Sequence, residues 1–157
     1  MAKEVIAIAS SGGLKAAAID LDWLAWTGGV TVEGDALIAR NLEAVAGNYA
    51  AAGIDHLVLA RALVSPRSQE IFAAALPGWE LTVVRLVAPR TTVERRIRAR
   101  DSGAELQEHL AELDRMTQRV IDATPQAHLV ANDERDLGEV AREVMRSAGW
   151  TDGQRRQ

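Results

Sequence analysis

The chain has 157 residues, 48% of them hydrophobic and 25% charged, with a formal net charge of −4. That length suits one domain with a sizeable core, and the acidic balance gives no electrostatic ground for nucleic-acid binding. Cysteine is absent, which excludes disulfides and thiolate metal sites; no segment reaches membrane-spanning length, so a cytoplasmic protein without a membrane partner is expected.

In chain order, Val5-Ile6-Ala7-Ile8-Ala9 is a short apolar run ending in Ser-Ser-Gly-Gly, the pattern of a buried first strand. Ala17-Ala18-Ile19-Asp20-Leu21 predicts a second strand that ends at acidic residues. From Asp35 to Ala52, Ile38, Leu42, Val45 and Tyr49 recur at helical spacing before Gly53, a good stop signal. His56–Ala60 predicts a buried strand, and Ser65-Pro66 opens a helix that Pro77-Gly78 closes.

Glu80 to Ala88 is the longest strand candidate. Thr91-Thr92-Val93-Glu94 and Ser102-Gly103-Ala104-Glu105 each have the form of a capping box. The second precedes a helix with Leu106, Leu110, Leu113, Met116, Val120 and Ile121 on one face. His128–Ala131 predicts the last strand, and Leu137, Val140, Val144 and Met145 mark a final helix before Gly149. Strands alternating with helices predict an α/β domain over residues 1–150, around a mainly parallel sheet of about five strands. Residues 151–157 form a polar tail.

Ligands in such sheets bind beyond the C-terminal strand ends. Those ends carry Ser10 to Gly13, Asp20 and Asp22, Arg61, and Asn132-Asp133. Asp20 and Asp22 point the same way if the strand continues through both, and could then share one Mg²⁺ or an acceptor hydroxyl; the alternative is a solvated strand end with Asp22 capping a turn. Arg95, Arg96, Arg98 and Arg100 suit an anion-binding lid, or equally a solvated helix face with a Glu94–Arg98 pair. His56, His109 and His128 have no metal-ligand spacing. Trp23, Trp26, Trp79 and Trp150 are read as packing residues, with Trp23 and Trp26 also able to line an acceptor pocket.

Asp20-Leu21-Asp22-Trp23-Leu24, Asn41-Leu42 through Asn48-Tyr49, Arg96 through Arg100-Asp101-Ser102-Gly103 with His109 beyond, and Glu139 through Val144 with Gly149-Trp150 follow one another over most of the chain. In that order they resemble the P-loop small-molecule kinases, the group of shikimate, gluconate and adenylylsulfate kinases, and in particular actinobacterial P-loop proteins of that group. The resemblance implies a three-layer P-loop NTPase-like fold and phosphate transfer from ATP to a small-molecule hydroxyl. Gly12, Gly13 and Lys15 would hold ATP phosphates, Asp20 or Asp22 would meet Mg²⁺ or the acceptor, and Arg96 and Arg100 would close as a lid. Such chemistry depends on positioning and charge stabilisation by all these parts.

The phosphate loop departs from that pattern. GxxxxGK[ST] would lie over Ala9 to Ala16, where Ala9 and Leu14 replace the glycines and Ala16 the Mg²⁺-binding hydroxyl. Leu14 brings a side chain into space that phosphate oxygens need. The residues between Ala9 and Ala17 reach only about 23–25 Å, too short for a loop and a normal helix before the next strand, so the first βα unit is truncated. Ser11-Gly12-Gly13-Leu14 is also a hairpin signal, and the two alternatives, a hairpin or other connection and a residual anion-binding turn, both stand at this point. The expectation is a degenerate kinase-like domain that binds a small-molecule or anionic ligand or a partner without ordinary ATP phosphotransfer. It could be a homo-oligomer covering the sheet surface left by the missing helix. The alternative is an active kinase using ATP and Mg²⁺.

Overall fold

The computed structural model of the chain describes residues 1–27 and 34–150; the predicted polar tail lies outside them. In order they form α1 (Ala2–Ser11), β1 (Ala16–Asp20), a short 3-10 helix (Leu21–Ala25), α2 (Gly34–Ala51), β2 (His56–Ala60) and α3 (Pro66–Ala74). They continue as β3 (Val84–Val87), α4 (Arg90–Arg100), α5 (Gly103–Ala123), β4 (His128–Ala131) and α6 (Leu137–Ser147). The α/β class and the parallel pairing are as expected. The strands make two sheets of two, β1 with β2 and β3 with β4, both parallel. A single sheet of about five strands is not what the described residues form.

The first predicted strand is a helix. Val5 and Ala9, four apart and both buried, face Ala141 and Met145 of α6, while Lys3, Ala7 and Ser10 face solvent. Alanine and the i,i+4 spacing thus satisfy a helix as well as the apolar run satisfies a strand. After α1 the chain stops in a Schellman turn: Leu14 N–H donates to Ala9 O (2.9 Å) and Gly13 N–H to Ser10 O (3.0 Å). Gly13 supplies the positive φ of 83° that this turn requires, and Leu14 packs against the Val5–Ala9 cluster. The same turn ends α2 at Gly53, with Ile54 N–H donating to Tyr49 O. The hairpin alternative falls with the strand, since β1 pairs with β2 in parallel, from Ala16 opposite His56 to Asp20 opposite Ala60.

Helices cover β1 and β2 on both faces, as a three-layer arrangement requires. On one face Ile19, Leu21, Ile38, Leu42, Ala46, Phe72, Ala75 and Leu76 form a core joined by Leu57 and Leu59. On the other, Val5, Ala9, Ala141 and Met145 gather with Ala16 and Val58. The alternation Leu57, Val58, Leu59 therefore divides β2 between two cores, which explains its continuous apolar character.

Two boundaries and one cap differ from the sequence pattern. The strand expected over Glu80–Ala88 pairs only from Val84 to Val87. α4 begins at Arg90 with Pro89 before it, so Thr91 is inside the helix and caps nothing. Ser102 does precede α5, but without a side-chain capping bond.

Candidate functional site

β1 ends at Asp20, and the chain turns at once into the 3-10 helix because the Asp20 carboxylate accepts from Asp22 N–H at 3.1 Å. The two-residue alternation that would aim Asp20 and Asp22 the same way thus stops one residue too early. Asp22 instead faces Arg61, which follows β2, with Oδ1 3.8 Å from Nη1. Arg61 donates through Nη2 to Asp35 at 2.9 Å, and Ser68 donates its hydroxyl proton to the other Asp35 oxygen at 2.5 Å. The guanidinium also lies 5.6 Å from the centroid of the Phe72 ring, a cation–π distance. Arg61, only 18% exposed, is therefore fixed by α2, α3 and the edge of β2.

One donor in this group is uncommitted. Arg61 Nη1 is buried and makes no hydrogen bond, and 3.8 Å to Asp22 is an ion pair too long to be one. Along the turn that carries Asp22, Trp23 and Trp26 stack with centroids 5.1 Å apart and planes 18° from parallel. Both rings are largely exposed, at 69% and 74%, so they are not the packing residues the sequence suggested. Asn41 steadies the preceding turn by donating to Leu24 O at 2.6 Å. Asp20, Asp22, the half-buried Arg61 and the stacked tryptophans thus all lie on the segments that leave the C-terminal ends of β1 and β2, where α/β sheets usually hold ligands.

Gly12, Gly13 and Lys15 are at the other end of β1. The strand from Ala16 to Asp20 separates them from Asp20 by roughly 13 Å at the usual rise per residue, so the two halves of the expected phosphate-transfer site do not meet. Gly12 and Gly13 terminate a helix and do not begin one. The groups directed outward there are carbonyls at the negative end of the dipole, the reverse of a phosphate cradle. The Lys15 ammonium extends to the end of α2, 3.8 Å from where a side chain on Gly53 would begin.

The lid candidates are also engaged. Arg96 donates to Asn132 O at 2.8 Å. Arg100 grips Asp101 with both arms, Nε to Oδ1 at 2.6 Å and Nη2 to Oδ2 at 2.9 Å. His109 Nδ1 lies 2.7 Å from Asp101 Oδ2. The Arg100 guanidinium first, and His109 after it, hold the Asp101 carboxyl well below the usual carboxylate range. Asp101, Glu105 and His109 bring one ligating atom each within 4.8 Å of one another. The donor types suit a transition metal, but Arg100 already occupies both oxygens of Asp101, and the group is an ion-pair cluster at the N-terminal end of α5.

The sequence pattern points to Asp20, Asp22 and Arg61 but not to Asp35, which pairs with Arg61 from α2, or to Ser68, which bonds Asp35 from α3. The only local hint was that Asp35 and Ser68 fall in the first turns of predicted helices, whose N-termini lie at the strands' C-terminal edge in such folds. No described helix is long and apolar enough to cross a membrane. Comparison with family models, with curated proteins and with solved structures gives no match to this chain.

Proposed function

We propose that this protein is a binding module that holds a small hydroxylated molecule at the C-terminal ends of β1 and β2 and does not perform ordinary ATP phosphotransfer. The observation that carries the proposal is Arg61, a half-buried guanidinium fixed on Asp35 with its buried Nη1 left without a hydrogen bond. A buried donor of this kind is costly unless something accepts from it. A ligand oxygen would do so, while Asp20 and Asp22 accept ligand hydroxyls and the stacked tryptophans offer a surface for an apolar ring face. The helix terminus at Gly12–Gly13 supports the second half of the proposal, because it directs carbonyl dipoles where a nucleotide phosphate would have to sit.

Calorimetry and tryptophan fluorescence test the two halves separately. Titration with MgATP is expected to give no saturable binding; micromolar binding that Lys15→Ala abolishes would establish the kinase alternative. Shikimate and gluconate, acceptors in the group the chain resembles, are the first fluorescence probes. Saturable quenching by either, lost in Arg61→Met while the far-UV spectrum is kept, is the expected result. No response to these hydroxylated probes, or a response unchanged in Arg61→Met, counts against this site.

A further inference from the structure

A second feature, which shares Arg61 and Phe72 with the site above, is the cleft of about 1110 Å³ between β2 and the segment leading into β3. Its walls follow from the hydrogen-bond pattern. In a parallel ladder, alternate residues direct both N–H and C=O to the same side. His56 N–H donates to Lys15 O, the residue just before β1, so His56, Val58 and Ala60 address β1 while Leu57 and Leu59 address the opposite side. Val83 O and Val87 O accept from His128 and Asn132, so Val84 and Leu86 face away from β4. Leu57, Leu59 and Val84 all line the cleft. Two strand edges thus open toward one space, and among the described residues no strand pairs with either.

We propose that this cleft takes one extended apolar segment of a partner polypeptide, running parallel to β2 between the two edges. Strand addition is the ligand chemistry that answers both rows of backbone donors and acceptors at once. A small molecule meets a few of these groups, and a helix none, since its own backbone is already bonded. The segment is apolar in its middle because both layers line the cleft, with Phe72 and Leu76 on one side and Leu14 and Trp150 on the other, and polar at its flanks because Lys15, Asp55, Gln69 and Glu80 line the cleft as well. The electrostatic fit is at the end of β2: Arg61 lines the cleft there, and its unbonded Nη1 complements the terminal carbonyl oxygens of an incoming parallel strand. The addition extends the β1–β2 ladder without a break and joins it to β3–β4, which makes one sheet of the two. A second copy of this chain is a poor donor, because its apolar runs Val5–Ala9, His56–Ala60 and Val84–Val87 are already built into its own elements.

The experiment uses the intact chain and a short synthetic peptide, Ac-Lys-Val-Ile-Val-Ile-Thr-Lys-NH₂, with a control carrying proline at the central valine. Proline removes a ladder donor and should weaken binding by at least about tenfold. Hydrogen exchange read by NMR is expected to show new protection at the amides of Leu57, Leu59, Val84 and Leu86 with the first peptide. A lack of binding overturns the proposal, as does equal binding of the proline peptide, which would mark a merely sticky surface. Protection of the same amides that rises with protein concentration in the absence of peptide also overturns it, in favour of a second copy.

Discussion

Asp101 precedes α5 with its side chain only 4% exposed and both oxygens bonded, to Arg100 and His109. Its folded pKa is depressed, so the stability it contributes is fully present above the unfolded value of about 3.9 and is lost as pH falls below it. Asp101→Asn should therefore lower the urea midpoint at neutral pH and flatten the decline in stability between about pH 4 and pH 2. Equal slopes for the two proteins would mean that the pair contributes nothing to acid sensitivity. At Arg61 the issue is desolvation. Asp35→Asn leaves the guanidinium with only Asp22 at 3.8 Å and should cost about 1–3 kcal/mol in chemical denaturation. Adding Arg61→Met to Asp35→Asn should cost less than the sum of the single changes, since it removes the stranded charge.

At the scale of elements, α1 gives the clearest test. Ala7 is exposed on its outer face, so a substitution there reads backbone preference with little packing. Ala7→Gly should destabilise by about 1 kcal/mol and Ala7→Val by roughly half that, as expected of a helix interior. A strand would instead reward valine, so a stabilising Ala7→Val would refute the helix. The same segment shows what sequence could and could not tell. α2 and α6 were legible because apolar spacing, length and a glycine stop all agreed, and β2 and β4 because each is a short apolar run standing between helical segments. Val5–Ala9 was too short for its period to decide, and a glycine pair before a lysine suggested a phosphate turn. The informative signal was the pairing of Gly13 with an apolar Leu14, positioned to cap Ala9. The opposing ends of β1 were implicit in its length, once Gly12–Lys15 was placed before it and Asp20 after it. The Arg61–Asp35–Ser68 contacts were not legible, because they join residues far apart in sequence through the packing of α2 and α3.

Across the whole molecule, apolar burial is uneven. Both cores around β1 and β2 draw on α1, α2, α3 and α6, whereas the β3–β4 half leaves Leu86, Val87, Met116, Ile121 and Leu129 exposed. The apolar stripe expected on α5 is consequently only partly used, with Leu113 its one buried member among those six positions. Among the described strands β3 and β4 pair only with each other, and none ties them to β2. Opening that half exposes comparatively little apolar surface, and local opening free energies follow the apolar area released. Native-state hydrogen exchange in increasing urea should show the amides of α4, α5, β3 and β4 opening first, with a shallow urea dependence, while α2, β1 and β2 exchange only through global unfolding. Leu42→Ala, which empties a fully buried site of the larger core, should lower global stability by about 2–5 kcal/mol. If the two halves are energetically separate, the first opening of β3 and β4 measured from the native state should keep its own free energy in that variant. An equal loss of protection in both halves would show that they fold as one cooperative unit despite the break between their sheets.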